Sequence, residues 1–170
     1  MLVTNALLVL QPTHTPDQKR IGAVTHGILN SLALACFTTA VVIIIVNKNN
    51  HHAAHFTTAH GRIGLITYIL VILQVQFCLG VLLTQASVGV AMFYLPTKIF
   101  GSVERGKAIY KYHRASGYVV WTLILVNCVL GTQSAWFTEV WDNTWVWVVL
   151  AMLAFLGMVS RVRPSKMKFF

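Results

Sequence analysis

The stretch AAHFTTAHGRIGLITYILVILQ, residues 53–74, decides the fold because it places two histidines and an arginine directly before an apolar run. The apolar run extends to about residue 86, which is long enough to cross a bilayer core of about 30 Å as a helix. Ionisable residues at membrane depth are rare, and they raise the question of a function. His55 and His60 are therefore the first candidates for a functional role.

The composition of the whole chain indicates a membrane protein. Of its 170 residues, 56% are hydrophobic and 10% are charged, and the mean hydropathy is +0.69. Soluble domains usually contain about 45–50% apolar and about 25% charged residues. Backbone polar groups in lipid must be paired internally, and no segment alternates in the way of a barrel strand. The sequence therefore predicts an all-α transmembrane helical bundle.

Four apolar segments predict full spans, and a shorter apolar segment precedes them. The predicted spans cover about 21–46, 61–86, 112–137 and 144–160. The shorter segment, residues 1–11, is about half the length of a membrane crossing, so it is either the second half of a longer helix or a short interfacial segment. Residues 1–160 are thus expected to form one transmembrane domain, and residues 161–170 a basic cytosolic tail.

The positions of Lys and Arg predict the orientation of the bundle. If neighbouring spans are antiparallel, Lys48 and Arg62 lie on one side and all the other Lys and Arg residues lie on the opposite side. Cytosolic loops are enriched in positive charge, so the second side, which includes the C-terminus, is predicted to be cytosolic. The net charge of +9 then reflects orientation and contact with the lipid bilayer, and no nucleic-acid partner is expected.

Three histidines are predicted to lie at membrane depth. His26 lies five residues into the first full span and His113 opens the third, and both spans begin on the cytosolic side. Their imidazoles therefore lie at similar depth on helices that run in the same direction, as two ligands facing each other across a flat cofactor would. His60 opens the second span from the opposite side.

A glycine follows two of these histidines at the i+4 position: Gly64 follows His60, and Gly117 follows His113. These positions share a helix face, so each glycine leaves room for a macrocycle beside the imidazole. Taken singly, such glycines are ordinary contacts between membrane helices, and such histidines are often bonded to a carbonyl at an interface. The repeated spacing and the matched pair together favour a b-type haem with two histidine ligands.

The segments ALLVLQP, KRIGAVTHGILN, AHFTTAHGRIGLI and KYHRASGYVVW occur in an order and spacing that resembles the cytochrome b561 family, especially its short branch with two haems and no fused domain. The likeness extends from residue 1 to about residue 160. It implies a transmembrane reductase in which two b haems carry electrons from cytosolic ascorbate to an acceptor across the membrane. The implied acceptors are a ferric chelate or monodehydroascorbate. The implied location is an endomembrane (vacuolar, vesicular or endoplasmic reticulum) or the plasma membrane, and a homodimer is compatible with it.

The same resemblance implies which residues bind the haem iron. His26 and His113 match the two ligands of the cytosolic haem, and His60 matches one ligand of the non-cytosolic haem. In the family the partner of His60 would lie upstream of Met1, so one complete haem site is visible and the chain is expected to be truncated at its N-terminus. Two alternatives stay open. One is a one-haem or inactive truncated variant, and the other is a haem-free four-helix membrane carrier or scaffold.

Three further residues are predicted to contact substrates. A basic cytosolic surface would concentrate anionic ascorbate, and Lys19 and Lys111 are the charged residues of choice because they lie close in sequence to the cytosolic haem ligands. The general excess of positive charge on the cytosolic side explains them equally well. On the other side, His55 in the loop NKNNHHAAH is a candidate contact for a metal-bearing acceptor, although a solvated polar loop has the same composition. No catalytic residue is predicted beyond the haem iron.

Overall fold

Helices make up all the regular secondary structure in the described part of the chain. The computed structural model describes residues 1–79, 102–141 and 143–162. The predicted all-α class is confirmed. Residues 80–86 of the predicted second span and 163–170 of the predicted tail lie outside the described residues. The helices, in chain order, are α1 (Leu2–Leu8), α2 (Pro16–Asn50), α3 (Ala59–Leu79), α4 (Val103–Gly131), α5 (Ala135–Val140) and α6 (Thr144–Arg161).

Helix α2 begins at a complete N-terminal cap. The Thr15 hydroxyl accepts a hydrogen bond from the backbone N–H of Gln18, and the Gln18 side chain accepts one from the backbone N–H of Thr15. This capping box satisfies two N–H groups that the first turn cannot pair internally. Pro16 follows as the first helical residue, where its fixed φ suits the helix and its missing N–H costs nothing. The helix therefore begins before residue 21, and its first turns include Lys19.

Helix α2 ends in a Schellman motif. The backbone N–H of Ala53 donates to the carbonyl of Lys48 at 2.9 Å, and that of His52 donates to Asn49 at 3.2 Å. His52 has a φ of 49°, the left-handed conformation that this motif requires after the helix C-cap. The Lys48 ammonium also donates to the carbonyl of Ala54 at 2.7 Å. These bonds turn the chain out of α2 into the loop that leads to α3.

The helices pack so that α3 lies along α4, and α1 lies along α2. Helix α6 packs on α4, α2 contacts α3, and α1 contacts α6. Ala6 of α1, Trp121 of α4 and Met158 of α6 are almost completely buried. The Trp121 ring also stacks on Phe155 of α6, with ring centroids 5.8 Å apart. The short first helix is thus an integral part of the described bundle.

The outward surfaces of the long helices are apolar. Ile43 on α2 and Leu156 on α6 expose 59% and 61% of their side chains. An apolar helix that is not buried in protein requires a lipid environment, because exposed apolar surface costs about 25 cal/mol per Å² in water. Two described helices are long and apolar enough to cross a membrane, and two others are shorter apolar helices. The long ones are α2 and Lys111–Gly131 of α4, and the shorter ones are Ala59–Val75 and Trp145–Arg161.

Helix α4 differs from the predicted third span at both ends. It begins at Val103 and ends at Gly131, whereas the apolar pattern covers about 112–137. Gly131 is unfavourable within a helix and three polar residues follow it, so the backbone leaves the helix at Thr132. A turn continues to Ser134, which is the N-cap of α5. The predicted span therefore included the start of a separate short helix.

Candidate functional site

The imidazoles of His26 and His113 lie close together between α2 and α4. Their ring centroids are 6.5 Å apart and their planes are at 83°. Metal–imidazole bonds are about 2 Å long, so two histidines bound to one metal ion have ring centres about 6 Å apart. The structure therefore brings these two predicted ligands to a separation that suits a single iron ion between them.

Hydrogen bonds define the tautomer of His26. Its Nδ1 lies 2.7 Å from the carbonyl oxygen of Ala6, and because a carbonyl oxygen only accepts, Nδ1 carries the proton. Its Nε2 then carries no proton, and the lone pair of Nε2 accepts a hydrogen bond from the side-chain amide of Asn30 at 3.1 Å. Histidines that bind metals usually donate one ring N–H to a carbonyl or carboxylate and bind the metal through the other nitrogen. His26 has this arrangement, with the Asn30 amide in the position that a metal would take on Nε2.

The backbone of α4 leaves open space beside His113. A Cβ atom added at Gly117 would meet no atom within 4 Å, which agrees with the clearance predicted from its i+4 spacing. Nearby, the side-chain amide of Gln74 donates to the Ser116 hydroxyl and, at 3.4 Å, to the His113 carbonyl. Helix α3 is thus fixed against α4 near His113, while the surface at Gly117 stays open.

His60 forms a second imidazole site near the far end of α4. Its Nδ1–H donates to the carbonyl of Asn127 at 3.0 Å, which leaves the lone pair on Nε2. Its ring packs on Gly131, where an added Cβ would lie 3.0 Å from Cε1 of the ring. At a rise of 1.5 Å per residue, Asn127 and Gly131 lie about 21 to 27 Å along the helix from His113. The structure therefore separates His60 from the other two histidines by most of the length of a span.

Gly64 does not provide the space that its i+4 spacing predicted. A Cβ atom there would lie 3.0 Å from the side-chain amide nitrogen of Asn127, so the glycine accommodates Asn127 from α4 and leaves no room for a macrocycle. Gly131 is the residue that gives clearance to the ring of His60. Within the described residues, Oδ1 of Asn127 and Oγ1 of Thr67 are buried without a hydrogen-bond partner.

The substitution Gly131→Ala is expected to destabilise this site. The added methyl group would lie 3.0 Å from Cε1 and 3.2 Å from Nδ1 of His60, and ring and helix must separate to relieve the contact. Overpacking of this kind costs about 1–3 kcal/mol, and it weakens the bond to the Asn127 carbonyl. We expect a lower melting temperature in detergent. The matched control is Gly157→Ala on α6, where an added Cβ meets nothing within 4 Å; equal melting temperatures for the two variants would contradict the assigned contact.

The predicted substrate contacts lie at the surface. Lys19 is exposed near the start of α2, and Lys111 is half-buried with its ammonium 5.2 Å from the centre of the Tyr112 ring. His55 is exposed, and its Nε2 forms a 2.8 Å hydrogen bond with the side chain of Asn49. Among the described residues, no three His, Cys, Asp or Glu side chains form a metal-binding group. The role of the histidine-rich loop after α2 as an acceptor contact stays a prediction.

Several partners of the histidines were missed from the sequence. Asn30 lies at i+4 from His26, so the spacing rule used for the glycines would have found it. Ala6 contributes only a backbone carbonyl, which any residue has, and Asn127 and Gly131 contact His60 across two helices. No local sequence pattern indicates a contact through a backbone carbonyl or a contact between two helices.

Apolar helices with two imidazoles facing each other and a third held separately define a helical membrane protein of the kind that holds haem between histidines. Comparison with known families agrees with this class. The chain belongs to the cytochrome b561 family, because the family model described as eukaryotic cytochrome b561 matches residues 1–138. The resemblance to this family that the sequence predicted is confirmed. The family is one that binds haem b.

The curated relatives are proteins named transmembrane reductase CYB561D2. The mouse protein (Mus musculus) is 29% identical over 153 residues, which are 88% of this chain and 63% of the relative. The human protein (Homo sapiens) is 32% identical over 154 residues, with the same coverage of both chains. The bovine protein (Bos taurus) is 32% identical over 167 residues, 94% of this chain and 69% of the relative. The chain thus spans about two thirds of the length of these relatives, and no solved structure matches it.

Proposed function

We propose that this chain is a transmembrane oxidoreductase that carries electrons from cytosolic ascorbate to a ferric chelate or monodehydroascorbate on the other side of the membrane. The observation that carries the proposal is the pair of imidazoles, His26 and His113, with ring centroids 6.5 Å apart in a chain of the cytochrome b561 family. The name of the relatives, transmembrane reductase, supports the same class of reaction.

His26 and His113 would hold a haem b near the cytosolic surface. The residues fit this group: the ring centroids of the two imidazoles are 6.5 Å apart, and Gly117 leaves open space beside His113. Nε2 of His26 carries the lone pair that would bind iron once the Asn30 amide moves aside. Bound between two histidines, a haem supplies one-electron transfer and has no free position for oxygen. The protein orients the two rings, surrounds them with apolar helices and sets the potential through the hydrogen bond at Nδ1 of His26.

His60 would provide one ligand of a second haem near the opposite surface. Its ring is already fixed by the Asn127 carbonyl and Gly131, and its tautomer leaves Nε2 available. The alternative is a one-haem variant, which would bind its haem between His26 and His113, a pair of histidine rings in contact within the described ranges. Counting haems per chain separates the two forms, and any b-type absorption band argues against a haem-free carrier or scaffold.

The proposed topology places the C-terminus in the cytosol in a multi-pass protein of an endomembrane or the plasma membrane. The uneven distribution of Lys and Arg supports this orientation, because the predicted non-cytosolic connections contain Lys48 and Arg62 alone. Lys19 and Lys111 would then lie on the side of the ascorbate donor, and His55 on the side of the acceptor. A homodimer remains part of the proposal.

Charge reversal at the donor side is expected to weaken ascorbate binding. In Lys19→Glu and Lys111→Glu a negative group replaces a positive one, so the KM for ascorbate should rise about threefold to tenfold at low salt while kcat changes little. The effect should shrink as ionic strength increases, because exposed charges are screened within about 10 Å at 0.1 M salt. The matched control is Lys48→Glu at the opposite end of α2. A KM for ascorbate that rises equally in this control would contradict the assignment of the donor side.

The experiment that tests the proposed function uses sealed vesicles that contain the purified chain. Ascorbate is trapped inside, a membrane-impermeant ferric chelate is added outside, and formation of the ferrous product is followed by its absorbance. The proposal predicts ferric reduction that requires both the chain and internal ascorbate. Haem that ascorbate reduces without any reduction of the external chelate would instead support the one-haem or inactive variant.

A further inference from the structure

We infer that the short helix α1 is a positioning element that holds the His26 ring in register with His113. This inference rests on the proposed function for the identity of the bound group. The contacts that carry it belong to the described chain itself. One carbonyl of α1 accepts from His26, one side-chain bond joins α1 to α4, and a second joins the turn after α1 to α4.

The first contact is the hydrogen bond from Nδ1 of His26 to the carbonyl of Ala6. Ala6 is fully buried at 0% exposure, and it lies in the last turn of a helix that ends at Leu8. Carbonyls in the last turn of a helix lack regular intrahelical partners, so they are available to side chains. At 2.7 Å the bond is short, and in an apolar environment it both selects the tautomer of His26 and restricts rotation of the ring.

Two bonds on either side of Ala6 fix α1 and the turn that follows it to α4. The indole N–H of Trp121 donates to the Thr4 hydroxyl at 3.0 Å, and the side-chain amide of Gln11 donates to the Tyr118 hydroxyl at 3.2 Å. Trp121 is only 2% exposed. These are long-range contacts between the beginning of the chain and its third long helix, and they leave α1 little freedom to slide along the bundle.

Helix α4 therefore positions both imidazoles of the pair. It carries His113 directly, and through Tyr118 and Trp121 it holds the helix whose carbonyl orients His26. His113, Tyr118 and Trp121 all lie on this one helix. The relative position of the two rings thus depends on α1 as well as on the helices that carry the two histidines.

Loss of the anchoring bond should have a defined electronic effect. If α1 moves, the bond at Nδ1 of His26 weakens, and the imidazole becomes a less basic ligand. A less basic ligand stabilises ferric iron less, so the reduction potential of the haem between His26 and His113 should rise. Thr4, Gln11, Tyr118 and Trp121 are in this sense positioning residues, which act on the cofactor only through Ala6 and His26.

The test compares Thr4→Val, Trp121→Phe and their combination in the full chain, with Thr122→Val as the control. Both single changes remove the same hydrogen bond, and Thr4→Val preserves the shape of the side chain. Thr122 is adjacent to Trp121, but its hydroxyl donates to the Tyr118 carbonyl within α4 and does not contact α1. Two quantities are measured: the reduction potential of the bound haem, and the tautomer of His26 in haem-free protein from ¹⁵N-histidine NMR, with His26→Ala used for assignment.

We expect a higher potential, haem binding weaker by about threefold to tenfold, and a reduced population of the Nδ1–H tautomer in Thr4→Val and Trp121→Phe. The double variant should change the potential, the haem binding and the tautomer population no more than the single variants do, because the same bond is lost in all three. An unchanged tautomer and potential in Thr4→Val, or the same change in Thr122→Val, would overturn the inference. Absence of haem from the wild-type chain would count against the proposed function, and the NMR measurement would still decide whether α1 positions His26.

Discussion

The variants His26→Ala and His113→Ala should lose the haem held between these two residues, with a fall of more than about tenfold in the corresponding reduced-minus-oxidised absorbance. Each change removes one of two imidazoles whose centroids are 6.5 Å apart, and the imidazole that remains would provide only one of the two ligands proposed for the haem. The measurement is the dithionite difference spectrum with haem quantified per polypeptide.

His14→Ala is the matched control for these variants. His14 is exposed before the start of α2, so the same change in side chain should leave the haem content unaltered. If His26→Ala and His113→Ala both retain the haem content of the wild-type chain, the assignment of the two ligands is wrong. If His14→Ala loses as much haem as they do, the loss reflects general instability and the assignment has no support.

The variant Gly117→Phe should prevent haem binding while the chain remains folded. The backbone at Gly117 is open, since an added Cβ meets no atom within 4 Å. We therefore expect the haem-free chain to accept a phenyl group there. If the haem uses that space, the phenyl ring excludes the haem. Haem content should then fall by about tenfold or more.

The control for this prediction is Gly157→Phe on α6. An added Cβ there likewise meets no atom within 4 Å, but Gly157 lies on a helix that carries none of the three histidines. Both variants should retain the melting temperature of the haem-free chain, and only Gly117→Phe should lose haem. Normal haem content in Gly117→Phe would show that the open surface beside His113 is not part of the cofactor site.

Much of the site was predictable because its elements are periodic. The apolar spans, the depth of His26 and His113 on helices that run in the same direction, and the open face at Gly117 all follow from rules for spacing along one helix. The distance of 6.5 Å between two rings from different helices is the structural consequence of that matched depth. His60 likewise lies far along α4 from His113, as expected for a histidine that opens a span from the other side.

The remainder depends on contacts between helices, which spacing along one helix does not encode. Gly64 was predicted to clear space for a cofactor, but the Asn127 side chain fills that space, and Gly131 has the role at His60 instead. The end of α4 was placed too late because apolar residues resume in α5 after a short polar turn. The role of α1 follows from a backbone carbonyl at Ala6 and from the bond between Thr4 and Trp121, neither of which has a sequence signature.

These contacts also explain how a chain of this size fixes a pair of ligands. His26 is held by the Ala6 carbonyl of α1, whereas Gln74 of α3 bonds the backbone at His113. Two neighbouring helices thus restrict the pair before any cofactor binds. Such preorganisation lowers the entropic cost of binding, because the rings lose little further freedom.

The most direct test of the central claim is the absorption spectrum of the purified wild-type chain, oxidised and then reduced with ascorbate, with haem quantified per polypeptide. The account predicts a b-type spectrum typical of two histidine ligands, at least about one haem per chain from the complete pair, and reduction of that haem by ascorbate. A chain that folds and carries no haem, or a haem that ascorbate leaves oxidised, would contradict it.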